Sequence, residues 1–396
     1  MGNAVGTMSI GVRAPIIRKG DRLADIVAES VISASKELKL PIEDGDVIAV
    51  TESVVARAEG NYVSVDEVAR DVEEKFRSST IALIHPILSR NRFAMCLKGI
   101  CRGAKGGVII VLSLPSDEVG NHLITKEQYI SSGFDKKSVI TEKEFRKRFP
   151  AVWHEFTGVD YIEYYKSIAK EEKCKVEVLF SNNPVAILEY TKYFIACDIH
   201  TREETKRILR QSGAYAVHGL DDICSKPTVT TGFNAKYGLL GSNRANEEQL
   251  KLLPRNAHYI VSRVQDLIYE KLQKNVEVLV YGDGAFKDPV GKIWELADPV
   301  VGVAYSKGLK GRPNELKLKA LADDNFAHLS GEELKEAIKA EIKKKEGNLT
   351  GKMASEGTTP RQITDLLGSL ADLTSGSGDK GTPIVWIKGY FRNYAD

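Results

Sequence analysis

Gly45-Asp46-Val47-Ile48-Ala49-Val50-Thr51-Glu52-Ser53-Val54-Val55-Ala56-Arg57-Ala58-Glu59-Gly60 is the stretch on which the reading of this chain turns. Glu43 to Asp46 make a polar, glycine-containing turn, and Val47 to Val50 form a short apolar run bounded by it, the signature of a buried strand. Thr51, Glu52 and Ser53 then lie at the carboxyl end of that strand. In α/β sheets this is the end at which ligands bind. A hydroxyl, an acid and a base (Arg57) just beyond the strand suit a ligand site. A solvated exit from the strand would look the same.

Upstream, Asp21 is placed to cap a helix whose apolar positions Leu23, Ile26, Val27 and Val31 recur at helical spacing. Downstream, Ser64 is placed to cap a second helix, with Val65, Val68, Ala69, Val72 and Phe76 on one side. The pattern returns near the other end of the chain. Asn246 to Gln273 reads as a long amphipathic helix, Val276 to Tyr281 as a strand, Leu329 to Lys345 as a charged surface helix, and Pro360 to Leu373 as a helix with Thr359 as cap. Ile384 to Ile387 reads as a closing strand. Gly107 to Leu112 and Val176 to Phe180 are strand-like, Glu203 to Gln211 is helix-like, and Thr141 to Tyr165 has no clear period. These elements predict a mixed α/β (α+β) fold in three parts: 1–92 as the first half of a core, 93–229 as an inserted α/β lobe, and 230–396 as the second half.

Composition narrows the function. The chain has 396 residues, 42% hydrophobic and 28% charged, with a formal net charge of +2. Its charges are interspersed, which argues against nucleic acid or an anionic membrane as partner. No apolar stretch reaches the roughly 20 residues of a membrane span, and Met1 to Met8 lack the features of a signal peptide. The five cysteines have no zinc-site spacing. The expectation is a cytoplasmic protein with reduced thiols. Neither HExxH nor GxxxxGK[ST] occurs. Gly376, Gly378 and Gly381 match GxGxxG, but between a helix and a strand, the reverse of the dinucleotide-binding context. That excludes a standard P-loop or Rossmann nucleotide site.

Two further loops can carry chemistry. Gly282-Asp283-Gly284-Ala285-Phe286-Lys287-Asp288-Pro289 follows a strand and offers Asp283 and Asp288 to a hard cation and Lys287 to a phosphate. The same residues also serve as plain turn formers. Gly238 to Arg244 lets a ligand approach the backbone, with Asn243 and Arg244 to orient it, or is an ordinary glycine loop. Asp117-Glu118 with Asn121 is a weaker acidic loop after the strand ending at Leu112.

Taken in order, these segments resemble the coenzyme F420-0:γ-glutamyl ligase family. The resemblance rests on Ala14-Pro15-Ile16 with Gly20-Asp21-Arg22-Leu23, on Gly45 to Gly60, on Gly238 to Asn243 with Leu252-Leu253-Pro254 and Val276 to Asp283, and on Thr382 to Gly389. It covers about residues 10 to 90 and 230 to 390 and leaves the middle lobe unexplained. It implies a homodimer that binds GTP (or ATP) with Mg²⁺ or Mn²⁺. It also implies activation of an acceptor carboxylate as an acyl phosphate and attack on it by an amino acid amine, expected to be glutamate's. By position, Arg13, Ala14, Pro15, Ile16, Glu52, Arg57 and Asn243 match the family's nucleotide contacts and Asp283 a metal ligand.

Three departures stand out: a second metal-binding Asp falls on Leu240, a Thr falls on Gly284, and a carboxylate of the last helix falls at or beside Leu366, next to Asp365. Leucine cannot ligate a cation. Asp288 is therefore the expected second ligand, with Asp365 and Glu118 as alternatives. The rival reading is a nucleotide- or metabolite-binding paralogue that has lost catalysis. The inserted lobe is expected to pack beside the nucleotide cleft and shape acceptor choice, or else to be a separate enzymatic or partner-binding domain.

Overall fold

The computed structural model describes residues 4–228, 231–285, 297–349, 351–355, 361–375 and 379–396. Along the chain run β1 (Met8–Val12), α1 (Leu23–Leu38), β2 (Val47–Thr51), α2 (Glu52–Glu59), β3 (Tyr62–Ser64), α3 (Val65–Phe76), β4 (Ile81–Ile84), α4 (Phe93–Gly103) and β5 (Val108–Leu112). There follow α5 (Lys126–Ser132), β6 (Ile140–Thr141), α6 (Glu142–Arg148), α7 (Tyr161–Glu171), β7 (Val176–Phe180), β8 (Tyr193–Ala196), α8 (Arg202–Gln211) and β9 (Ala216–Gly219). The last third holds β10 (Asn243–Arg244), β11 (Gln249–Lys251), α9 (Ala257–Leu272), β12 (Glu277–Tyr281), β13 (Gly302–Tyr305), α10 (Leu318–Ala320), α11 (Gly331–Lys344), α12 (Ile363–Ser375) and β14 (Ile384–Lys388).

A five-stranded sheet has the order β1-β14-β2-β12-β13. β2 and β12 lie parallel in its centre, with Val50 opposite Val280 and Thr51 opposite Tyr281. Their alternate residues face two layers, as the period of a strand requires. Ile48, Val50, Val278 and Val280 pack with α1 and α9, while Val47, Ala49, Leu279 and Tyr281 pack with Leu367 and Ala371 of α12. The fully buried Trp386 of β14 satisfies its indole N–H on Asp46 at 3.0 Å.

The second large sheet has the order β6-β7-β5-β4-β8-β9, parallel throughout except for the edge strand β6. Counted along the chain, its parallel strands stand as 3-2-1-4-5, a doubly wound arrangement. This sheet starts at β4, ahead of the 92/93 boundary drawn from the sequence. α3 packs with it too: Val65, Val68, Val72 and Phe76 belong to the core shared with Ile81, Leu83, Leu97 and Ile110. Ile81–Ile84 is only four residues long, too short to stand out by periodicity. A small sheet, β10-β11-β3, joins the two halves.

Several local expectations hold. Ser64 accepts from the Glu67 N–H, Glu67 returns the bond to the Ser64 N–H, and all five apolar residues expected on the inner face of α3 are buried. Such a box contributes about 1 kcal/mol. Asp21 does not cap α1. Its carboxylate accepts from the Arg18 N–H at 2.7 Å, closing a turn ahead of the helix. The long helix begins at Ala257, because Asn243–Arg244 and Gln249–Lys251 pair as strands. The unpatterned 141–165 segment forms α6 and the start of α7, each opened by a side-chain cap, Thr141 and Asp160. Thr359 and Pro360 lie outside the described residues. Among the described residues no helix is long and apolar enough to cross a membrane.

Candidate active site

β2 and β12 end side by side, which brings Glu52 and Asp283 to the same edge of the five-stranded sheet. Glu52 is buried and accepts two bonds from Lys251 Nζ, at 2.8 and 2.9 Å. Lys251 arrives through the small sheet, where β11 pairs with β3 directly after α2. Asn243 stands opposite Lys251 across β10 and β11. Burial raises the Glu52 carboxyl above its ordinary range; Lys251 works against that and Asp298 adds to it.

Asp283 is held from two directions. Arg92, at the start of α4, reaches across from the doubly wound sheet. Its guanidinium bonds Asp283 at 2.7 Å and Asp298 at 2.6 Å. The Asp298 side chain is 1% exposed and also accepts from the Asp283 N–H at 2.9 Å. Burial opposes the Arg92 charge, but Asp298 and Asp283 outweigh it, so the guanidinium stays protonated. Burial, and then the nearby Asp298, lift the Asp283 carboxyl to about 7, with Arg92 opposing them.

The glycines flanking Asp283 have a packing cause. A Cβ on Gly282 would stand 2.5 Å from Asp298 Oδ2 and 2.9 Å from the Val300 carbonyl. One on Gly284 would stand 3.0 Å from both Asp372 Oδ2 and Ser369 Cα. Gly284 and Ala285 donate their N–H groups to Asp372 and Ser369 of α12, at 2.8 and 2.9 Å. The carboxylate of the last helix that meets this loop is thus Asp372, about two turns beyond Leu366 and Asp365. Leu240 is buried in the core.

The other expected residues divide. Glu52 joins the cluster through Lys251, and Asn243 stands in register with Lys251 on the neighbouring strand. Arg57 lies exposed in the last turn of α2. Arg13, Ala14, Pro15 and Ile16 follow β1, where Ala14 donates to the Gly381 carbonyl at 3.2 Å and Arg13 lines a separate groove with α1. Lys287 and Asp288 lie outside the described residues. Arg92, Lys251, Asp298 and Asp372 were not foreseen. Asp298-Pro299, shortly after the Asp283 loop, offered the one local cue, an acid ahead of a proline.

A profile of the F420-0:Gamma-glutamyl ligase family matches residues 11–389. The chain belongs to that family. The match runs through the middle segment that the motifs left unexplained. Similar curated proteins include a coenzyme F420:L-glutamate ligase of Methanothermobacter thermautotrophicus, 35% identical over 77 residues, 18% of this chain and 29% of that protein. A coenzyme F420:L-glutamate ligase of Methanopyrus kandleri is 40% identical over 52 residues, 13% of this chain and 17% of that protein. An uncharacterized protein of Methanocaldococcus jannaschii is 23% identical over 196 residues, 47% of this chain and 61% of its own length. The matched stretches thus span less than two thirds of each relative.

Of the two expected ligands of a divalent cation, Asp283 lies in this cluster and Asp288 lies outside the described residues. Among the described residues no three His, Cys, Asp or Glu side chains converge as ligands for one ion. Asp283 and Asp298 are bridged by Arg92.

Proposed function

We propose that this chain is an amide-forming ligase that uses a nucleoside triphosphate, GTP in the first instance, to join an amino acid to an acceptor acid. The supporting observation is the Glu52–Lys251 and Asp283–Arg92–Asp298 assembly at the adjoining carboxyl ends of β2 and β12, in a member of a ligase family. In this reading the acceptor carboxylate attacks the γ-phosphorus, its bond to the β-phosphate oxygen breaks, and the nucleoside diphosphate leaves. The amine nitrogen, glutamate's in the expected case, then attacks the acyl carbon. Phosphate departs with the C–O electron pair and the amine gives up its proton.

Fixed cations are what such a path requires, because two anions must meet and the transferring phosphoryl group carries spread charge. Arg92 and Lys251 are cations fixed in place here, which a triphosphate would draw in part from their partners Asp283, Asp298 and Glu52, and Asn243 lies in register with Lys251 on the neighbouring strand. Arg13 to Ile16, Arg57 and Lys287 belong to the proposed nucleotide contacts through the resemblance. A homodimer acting on small molecules in the cytoplasm completes the reading.

The test incubates the purified chain with GTP or ATP, glutamate and a panel of carboxylic acids, with and without Mg²⁺ or Mn²⁺. Acid-dependent release of nucleoside diphosphate and phosphate, together with a product heavier by one glutamyl residue, supports the proposal. A second reading, a nucleotide- or metabolite-binding paralogue without catalysis, draws support from the occupation of Asp283 and Asp298 by Arg92. Saturable nucleotide binding without turnover on any acid would favour it.

A further inference from the structure

In a doubly wound sheet ligands bind outside the carboxyl ends of the strands, where the strand order reverses. Here that point lies between β4 and β8. The chain leaves β8 toward α8 and leaves β4 through residues 85–92 toward α4. The α8 side is filled from within. The Glu118 carboxylate accepts the backbone N–H groups of Ile199 at 2.7 Å, His200 at 3.0 Å and Thr201 at 2.8 Å. These donors at a helix N-terminus are the usual seat of a phosphate, and the chain's own acid occupies it.

The β4 side is open among the described residues. A crevice of about 970 Å³ lies there, lined by residues 87–92, by Asn121 and by the segment around 154–164, with Arg244 and Asp283 on the facing side. Its volume lies within the roughly 300–1,000 Å³ of small-molecule sites. Asp117 fixes the rim. Its carboxylate accepts from the N–H groups of Leu88, Val119 and Asn121 and from the Asn121 amide, tying the loop after β4 to the loop after β5.

The charges in the crevice are uneven. Arg92 is committed to Asp283 and Asp298. Arg90 is exposed and makes no ion pair or hydrogen bond among the described residues. Arg244 meets Glu247 at 3.7 Å, and that glutamate is 86% exposed. Two guanidiniums are thus left for a ligand anion. His154 adds no charge: its Nδ1 accepts from the Thr157 N–H at 3.3 Å, so Nε2 donates to Asn121 Oδ1 at 3.0 Å. Burial keeps the ring below the usual histidine range. Beside these residues stand Phe156, 54% exposed, and the half-buried Tyr164, with Tyr161 buried beneath them. Exposed aromatic surface next to uncommitted arginines suits a flat ring carrying an acid.

We propose that this crevice binds the acceptor: a small acid whose carboxylate or phosphate meets Arg90 and Arg244 and whose flat apolar part lies on Phe156 and Tyr164. Asp283 and Arg92 line the same crevice, so a ligand there adjoins the charged cluster. The term acceptor rests on the ligase reading; the site itself does not.

The test uses the full chain and three probes, 2-naphthoate, 2-naphthyl phosphate and the neutral 2-naphthamide, followed by ligand-observed NMR. An anionic probe should bind saturably, with the amide about tenfold weaker, as expected for loss of a charge-assisted bond. Preference between carboxylate and phosphate identifies the source of the anion. The double variant Arg90→Gln/Arg244→Gln, both sites exposed, should weaken the anions tenfold or more and leave the amide unchanged, and Phe156→Ala should weaken all three. Equal binding of amide and anions, or anion binding indifferent to the arginine variant, overturns the proposal. The ligase assay separates the two readings. Turnover whose KM for the acid is unchanged in the arginine variant refutes this site and leaves the ligase reading standing. Arginine-dependent binding without turnover does the reverse.

Discussion

The two large sheets treat the carboxyl ends of their strands in opposite ways. In the five-stranded sheet the charged groups there are closed on one another: Glu52 on Lys251, Asp283 and Asp298 on Arg92. In the doubly wound sheet one half is plugged by Glu118, and the other keeps Arg90 and Arg244 facing an open crevice. A closed cluster holds its members in fixed positions, but every member becomes necessary. An open one costs the fold little and leaves its charges to a ligand. Charge alone does not distinguish a structural site from a binding site; whether the charge already has a partner does.

The closed side should break hardest. Arg92→Met leaves Asp298 buried without its cation and should lower stability by about 3–5 kcal/mol, as removal of one partner of a buried pair does. Arg92→Met combined with Asp298→Asn should recover part of that. Chemical denaturation of the three proteins checks it; a loss under 1 kcal/mol would mean the cluster is not closed.

A middling effect is expected at the plug. Glu118→Ala removes the acceptor at the start of α8 and should cost about 1–2 kcal/mol. Hydrogen exchange should show faster opening at Ile199 to Thr201 while the five-stranded sheet is unchanged.

Asp117 gives a pH-dependent contrast. Burial lifts its carboxyl to about 6, against the pull of the N–H groups of Leu88 and Asn121. The folded state therefore holds this proton more tightly than the unfolded chain, whose value is about 3.9. The contribution is full below about 3.9 and is lost as the pH rises through about 6. The stability difference between wild type and Asp117→Asn should shrink or turn against wild type over that window. Urea midpoints at pH 4.5 and 7 measure it.

The smallest change is expected on the open side. Arg90→Gln should alter stability by no more than about 0.5 kcal/mol. A larger loss in thermal unfolding would mean that Arg90 has a structural partner and that the crevice is not open.

Much of the five-stranded region was legible because its signals are local. Val47 to Val50, Val276 to Tyr281 and Ile384 to Ile387 are apolar runs next to turns, and Asp283 follows a strand and sits between glycines. The ordered motifs added the family, and the match over residues 11–389 agrees with it. The partners of Asp283 were not legible. Arg92 lies 191 residues away along the chain from Asp283 and 206 from Asp298. No periodicity encodes an ion pair across that span. β4 was missed for its brevity, and with it went the topology of the second sheet. Lys287 and Asp288 fall outside the described residues, so the phosphate contact proposed for the first and the cation ligand expected of the second have no structural counterpart to set beside them.

The strand order β1-β14-β2 has a consequence for biosynthesis. β14, the last of the described strands, lies between the first two, so the ribosome completes β1 and β2 long before the strand that joins them exists. At about 5–20 residues per second the interval amounts to tens of seconds. During it the flanks of β1 and β2 that β14 will cover remain unpaired, a recognised route to aggregation. The doubly wound sheet is encoded contiguously, from Ile81 to Gly219, and can assemble as it emerges. A nascent chain whose residues up to 219 have emerged should therefore already protect β4 and β5 from proteolysis, while the five-stranded sheet waits for β14.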